Sequence, residues 1–253
     1  MRSTLLLLII IFTSTAASQT LTIAADEWYP MNGTPGANKP GYMIELANAI
    51  FSRHNITVQY SLLPWERAVE QTREGLYNCV VGAYHSDTPD FIFPKQHWGL
   101  DNPKFFTKKE DNWRYTGNLD SLKDRKVGLI TGYSYTEAFD DYAKKQDTIH
   151  IQFTRGNNAL ETNIKKLRIG RIDTLVESAH VMNAKLKNLG ISGALKEAGN
   201  ISAPVKMYMA CTPKHQSSQI FVDIIDNEMK TLEKSGELKT ILQRYGLTPW
   251  KVE

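Results

Sequence analysis

From residue 20 onward the apolar positions switch repeatedly between short continuous runs and helical spacing. Thr20 to Ala25 reads as a strand, and Met43, Leu46, Ala47 and Ile50 recur at helix period after a loop rich in Gly, Pro and Asn (Pro30 to Gly41). Ile56 to Leu63 returns to strand. Pro64 suits a first helical position, Trp65, Ala68 and Val69 form one face, and Gly75 stops the helix before the strand Tyr77 to Ala83. The order is βαβαβ.

The same order returns with strand Lys126 to Thr131, helix Ser134 to Lys144, strand Ile149 to Phe153, helix Asn157 to Leu167 and strand Ile172 to Val176. Arg73 to Asn78 aligns with Arg168 to Asp173 at an offset of 95 residues, the same helix, Gly, strand joint used twice. Ala203 to Cys211 reads as a further strand, and two helices follow, punctuated by Gly236 and Gly246. Two such units imply two parallel-sheet lobes in an α/β fold. A tail this long needs a sheet to rest on. If it returns to the first lobe, the chain crosses near Phe105 to Lys109 and near Asn200 to Val205, and the two crossings form a hinge. The expected division is residues 1–18 as leader, 19–107 with 203–253 as lobe 1, and 108–202 as lobe 2.

Composition narrows the function. The 253 residues are 42% hydrophobic and 23% charged, enough for a real core. Thirty Lys and Arg against twenty-seven Asp and Glu leave +3, with no run of one sign, so nothing marks a nucleic-acid binder. Arg2, the apolar run Leu5 to Phe12 and the small residues Ala16, Ala17 and Ser18 read as a removable signal peptide, too short for a membrane helix. The mature chain is then expected in the periplasm. No Cys follows the apolar run, so no lipid anchor is expected. Cys79 and Cys211 are the two cysteines, both in apolar, strand-like surroundings. Inert buried thiols are the expected state, and a bridge, which export permits, is the alternative.

Enzyme signatures are sparse. The six histidines never take HExxH spacing, the cysteines form no CxxC, and GxSxG and GxxxxGKS do not occur. No metal or cofactor is expected. Aromatic and polar residues instead gather after the strands, where open α/β sheets place their ligand crevice. Asp26, Trp28 and Tyr29 follow the first strand, Trp65 and Arg67 the second, and Gly82, Tyr84 and His85 the third. In the second unit they are Thr131, Gly132, Tyr133, Ser134 and Tyr135, then Glu177 and Ser178. Trp28, Tyr29, Trp65 and Tyr84 suit a slot that stacks on a flat or cationic group. Thr131 to Ser134 enters a helix whose free N–H groups suit an anion. Glu177 suits an ammonium, and Arg67 suits a carboxylate. Ordinary core aromatics, a plain Ser N-cap and solvated charges are the bland alternatives for each.

The order of motifs resembles the periplasmic solute-binding proteins of the polar amino-acid type (family 3), the capture component of ABC importers. The motifs are Leu21 to Ala24 leading to Trp28-Tyr29-Pro30; Gly41 to Leu46; Arg73-Glu74-Gly75 leading to Asn78; Leu122 to Gly128; Thr131-Gly132; and Gly170 to Asp173. The resemblance implies a two-lobed fold of type II, closing on a small polar or zwitterionic solute for delivery to a membrane permease, with the binding protein itself monomeric. It also implies that Asp26 and Tyr29 touch ligand, that Trp65 stacks, that Thr131 to Ser134 meets a carboxylate, and that Glu177 stands where an Asp usually takes the α-amino group. One departure is plain. The Arg that clamps the α-carboxylate after the third strand is missing from Ser86 to Phe91, which puts a standard α-amino acid in question and leaves Arg67 as the substitute. An enzyme on the same scaffold, similar to a cyclohexadienyl dehydratase with Glu177 or His85 as acid or base, and a sensory module are the alternatives.

Overall fold

In the computed structural model, which describes residues 19–250, the chain builds one sheet, leaves to build a second, and returns. The first unit is β1 (Gln19–Ala25), α1 (Tyr42–Ser52), β2 (Ile56–Leu62), α2 (Trp65–Arg73) and β3 (Cys79–Ala83). β1 lies between β2 and β3 and is parallel to both, so its inner residues Leu21, Ile23 and Ala24 are fully buried. Pro64 sits just before α2 rather than inside it, with an extended backbone that closes β2 and aims Trp65 at the strand ends.

Two short strands carry the chain across. β4 (Leu100–Asp101) leads into β5 (Pro103–Lys108), which is already in the second sheet. The second unit is β6 (Val127–Ile130), α3 (Glu137–Lys144), β7 (Ile151–Thr154), α4 (Ala159–Arg168), β8 (Thr174–Ser178), α5 (Ala179–Asn188) and β9 (Leu195–Asn200). Its strands run in the order β7-β6-β8-β5-β9, parallel through β8 and antiparallel where β5 joins. The sequence pattern places a crossing at Phe105 to Lys109, but the chain has crossed by then. Phe105 and Phe106 are both buried within the second lobe's sheet, Phe105 against Trp113, Tyr115 and Phe139.

The return runs through β10 (Val205–Lys206), antiparallel to β4, so the two crossings form one two-stranded ribbon. β11 (Tyr208–Cys211) then adds to the first sheet beside β3, giving β11-β3-β1-β2. α6 (Ser217–Ser235) and α7 (Glu237–Gln243) cover that sheet, with Phe221 edge-on to Phe51 and Arg53 paired to Glu228 and Glu237. Gly236, at φ +79°, makes the turn between the two helices, a conformation favourable only to Gly.

Cys79 and Cys211, expected as free thiols, are joined by a disulfide. They are direct partners in the antiparallel β3–β11 pair, which brings their Cα atoms to 3.9 Å. Antiparallel addition of the returning strand is what turns two inward-facing thiols into neighbours, and that pairing is long-range and has no local signal in the sequence. The leader assigned to residues 1–18 lies outside the described residues. Among those described, no helix is long and apolar enough to cross a membrane.

Candidate functional site

The carboxyl ends of both parallel sheets face one another, and the residues after them line a single cleft. The first sheet contributes Asp26, Trp28, Trp65, Gly82, Tyr84 and Asp87, and the second Tyr133, Ser134, Tyr135, Glu177 and Ser178. Asp101 of the crossing ribbon closes the back. The free space inside is about 30 Å³, room for about two waters, so the lobes are drawn together.

Hydrogen bonds across the gap hold that closed form. Trp28 Nε1 donates to Glu177 Oε1 at 2.8 Å, the Tyr133 hydroxyl donates to Asp26, and the Ser134 N–H reaches Asp87 Oδ1 at 3.3 Å. At the rim Lys185 pairs with Glu27 at 3.3 Å. Within the first lobe Tyr84 gives its hydroxyl to Asp101 at 2.6 Å and its N–H to Asp87 at 2.8 Å. Gly82, at φ +86°, takes a backbone conformation that suits Gly, and a Cβ there meets Asn32 Oδ1 at 3.2 Å.

Four carboxylates therefore share one small space. Burial raises each of them: Asp26 to about 6, Asp87 to about 7 and Glu177 to about 8, while Asp101 is raised as well. Donors from Tyr133, Tyr84 and Trp28 pull the other way and do not offset the lost hydration. Glu177 is 3% exposed and Asp101 0%. Glu177 Oε2 and Asp101 Oδ1 receive no hydrogen bond from the described residues. Among the residues lining the cleft there is no Lys, Arg or His.

Of the candidates named from sequence, Asp26, Trp28, Trp65, Gly82, Tyr84, Tyr133, Ser134 and Glu177 come together here. Thr131 lines an adjoining recess with Asp26, Glu27 and Trp65. Tyr29 turns away and stacks on Tyr245, with ring centroids 5.8 Å apart. Arg67 is exposed on α2 and lines none of the cleft, so it does not stand in for the missing clamp. His85 lies beside Phe93 and Tyr208, outside the cleft lining. The anion-binding helix start expected at Thr131 to Ser134 is absent. α3 begins only at Glu137, and its first turn is capped by the Thr136 hydroxyl to Phe139 N–H, while Tyr135 N–H bonds to Asp140. Asp87 and Asp101 were not singled out from sequence. Asp87 occupies the very loop that lacks the Arg, and that sign reversal was visible there; Asp101 gains its place only through the crossing ribbon.

No family model matches the chain. Among curated proteins it is 21% identical over 230 residues to the probable amino-acid-binding protein YxeM of Bacillus subtilis (strain 168), a match spanning 88% of this chain and 81% of that protein. Among solved structures it is similar to ArtJ, the arginine-, lysine-, histidine-binding protein of Geobacillus stearothermophilus, with TM-score 0.74, 15% identity and coverage of 91% of this chain and 97% of the other. The chain has the periplasmic-binding-protein fold. A histidine kinase sensor domain described as similar to periplasmic binding proteins matches equally well, with TM-score 0.74, 18% identity and coverage of 91% and 98%. The motif-order resemblance to solute-binding proteins of the polar amino-acid type agrees with these matches.

In a periplasmic-binding-protein fold the closed form depends on how near the lobes come, and here Gly132 sets that limit. A Cβ at 132 lies 2.8 Å from Glu66 Cβ and 3.0 Å from its Cα across the cleft. Gly132→Ala is expected to prop the lobes apart and enlarge the radius of gyration measured by small-angle scattering. Gly36→Ala, at φ +74° with open space around it, reads the backbone strain alone and leaves the radius unchanged. An unchanged radius in Gly132→Ala removes the inter-lobe role of that glycine.

Proposed function

We propose that this protein is an exported solute-binding protein that captures a small polar solute between two lobes and presents the closed form to the permease of an ABC importer. The lobes in this reading are the β11-β3-β1-β2 sheet with its helices and the second sheet, which the chain enters at β5 and leaves after β9, joined at the β4–β10 ribbon. The observation that carries it is the one cleft lined from both sheets and bridged by Trp28–Glu177 and Tyr133–Asp26. A solute that touches both sides stabilises the closed form, and one that touches a single side does not shift the balance. Asp26, Trp28, Trp65, Gly82, Tyr84, Tyr133, Ser134 and Glu177 are the proposed ligand contacts. The likeness to amino-acid-binding proteins supports the amino-acid-like size of the solute. The leader-like start and the disulfide support an oxidising, exported setting.

The test is a thermal-shift screen of amino acids, amines and small peptides. A solute at a hundred times its Kd adds about 2.7 kcal/mol, roughly 5–10 °C for a chain of this size. Mass spectrometry of the recovered solute, chemically unchanged, separates binding from turnover by the buried carboxylates. Stabilisation by no solute, or a transformed solute, contradicts the reading. A sensory module is the second reading, favoured by the likeness to the histidine kinase sensor domain. It differs only in the partner that receives the closed form.

A further inference from the structure

We propose that the solute this cleft takes is an organic cation without a carboxylate, a primary amine or diamine, and that the chain supplies from Asp87 the carboxylate that an amino acid would bring. The inference rests on the solute-binding reading above and names its ligand class.

Three features of the cleft lead there. The first is sign. Asp26, Asp87, Asp101 and Glu177 line it with no basic side chain among the lining residues. The basic groups nearby lie outside the lining: Arg67 is exposed on α2, Lys185 is paired with Glu27 at the rim, and His180, exposed at the start of α5, acts on Asp101 from beyond the cleft wall. A carboxylate entering this space meets like charge, and an ammonium meets its complement.

The second is the balance of donors and acceptors. Four of the donors that a ligand carboxylate would use are already committed to protein carboxylates. The Tyr84 and Tyr133 hydroxyls go to Asp101 and Asp26, Trp28 Nε1 goes to Glu177, and the Ser134 N–H goes to Asp87. Acceptors are what remain. Glu177 Oε2 is buried, lines the cleft and lacks a donor, Asp101 Oδ1 is buried beside the Ser178 hydroxyl, and an ammonium presents three donors.

The third is shape. Trp28, Trp65, Tyr84, Tyr133 and Tyr135 form aromatic walls around the acids, which suits an alkyl chain ending in a cation. The place where a ligand carboxylate was expected, the Ser134 N–H, faces Asp87 from the loop that lacks the clamping Arg. One residue thus removes the anion site and adds to the cation site.

The test uses the intact protein near pH 8 and matched pairs that differ by one carboxylate: lysine and cadaverine, ornithine and putrescine, arginine and agmatine, histidine and histamine. Affinities come from calorimetry after a thermal-shift screen. At least one amine is expected to bind, with its parent amino acid weaker by tenfold or more, about the worth of one unfavourable buried charge contact. Glu177→Gln and, separately, Asp101→Asn are each expected to weaken that amine by roughly thirtyfold or more, with far-UV circular dichroism unchanged. Asp87→Ala removes the acceptor of the Ser134 N–H and is expected to narrow the gap within the pair. An amino acid that binds as tightly as its amine overturns the inference while the solute-binding reading stands, as does an amine whose affinity survives both Glu177→Gln and Asp101→Asn. Stabilisation by neither class overturns the inference, and stabilisation by no solute of the wider screen, small peptides included, overturns both.

Discussion

Raising the pH from 5 to 8.5 lowers the stability of the ligand-free protein, on the order of 3 kcal/mol or roughly 10 °C in Tm. The sign follows from the direction of the shifts. Asp26, Asp87 and Glu177 hold their protons up to about 6, 7 and 8 in the folded chain, well above the ordinary carboxylate range, and Asp101 is raised too. A carboxyl whose folded pKa is raised binds more protons folded than unfolded. Its stabilising share is complete below about pH 4 and is lost as the pH climbs through the folded value. Each pKa unit is worth about 1.4 kcal/mol, but Asp26 and Asp87 are only partly buried and the acids repel one another, so their shares do not simply add.

Other groups do not reverse this. Asp140, on the second lobe beside Tyr135, is raised and works in the same direction. Asp90 and Asp111 are held low by Arg73 and Arg125, so their contribution changes only in more acid solution. His85, lowered by burial, adds stability as the pH rises up to about its ordinary 6.5 and nothing further above it, and it is one exposed ring against several carboxyls. The Tyr84, Tyr133 and Tyr135 hydroxyls facing the acids are pushed above their usual range and stay neutral throughout. Calorimetric Tm against pH checks the slope. The double substitution Asp87→Asn with Glu177→Gln is expected to flatten it, and a slope that is flat in the unaltered chain contradicts the account of the buried acids.

Loss of the Cys79–Cys211 bridge is expected to cost about 2–5 kcal/mol. The bridge closes a loop spanning 132 positions that contains the whole second sheet, and it ties the returning strand β11 to β3. In the chain-entropy view a loop of that length lies near the upper end of what one disulfide contributes. Both cysteines are fully buried in the first lobe, so the substitutions Cys79→Ala and Cys211→Ala also lose some apolar contact. Urea unfolding with and without reductant measures the difference. A midpoint that barely moves shows that the β3–β11 pairing holds without the covalent tie.

Most of the scaffold was legible because its elements are locally encoded. β1, α1, β2, α2 and β3 follow the alternation of runs and helical spacing to within two residues, as do β6 and α4. α5 and β9 were missed: α5 carries only a few buried positions, Val181, Met182 and Leu186, and β9 has Lys196, Glu197, Gly199 and Asn200 in a strand beside β5. Their partners, not their patterns, make them. The site divides the same way. Asp26, Trp28, Trp65 and Glu177 stand at strand ends and can be placed by topology, whereas Tyr29 and Arg67, one and two residues from the lining Trp28 and Trp65, point elsewhere because a helix or turn rotates side chains with each step. The expected helix start at Ser134 lies three residues before the observed one, since Thr136, and not Ser134, supplies the N-cap of α3. From the sequence, the Arg missing from Ser86 to Phe91 leaves a gap that Arg67 is expected to fill. The folded chain shows a carboxylate in that loop instead.

The distance between the lobes reports how the cleft acids and a bound cation set closure. With the native thiols bridged, cysteines introduced at the exposed positions Glu74 and Lys187 carry spin labels on the first and second lobes, and pulsed electron resonance reads their separation. An acidic cleft that closes on a cation predicts a long or broad distance for the ligand-free protein at pH 8.5. It predicts a single shorter one at pH 5, and the same shorter one at pH 8.5 once the tight-binding amine is added. One distance, unmoved by pH and by every amine and amino acid tried, contradicts it.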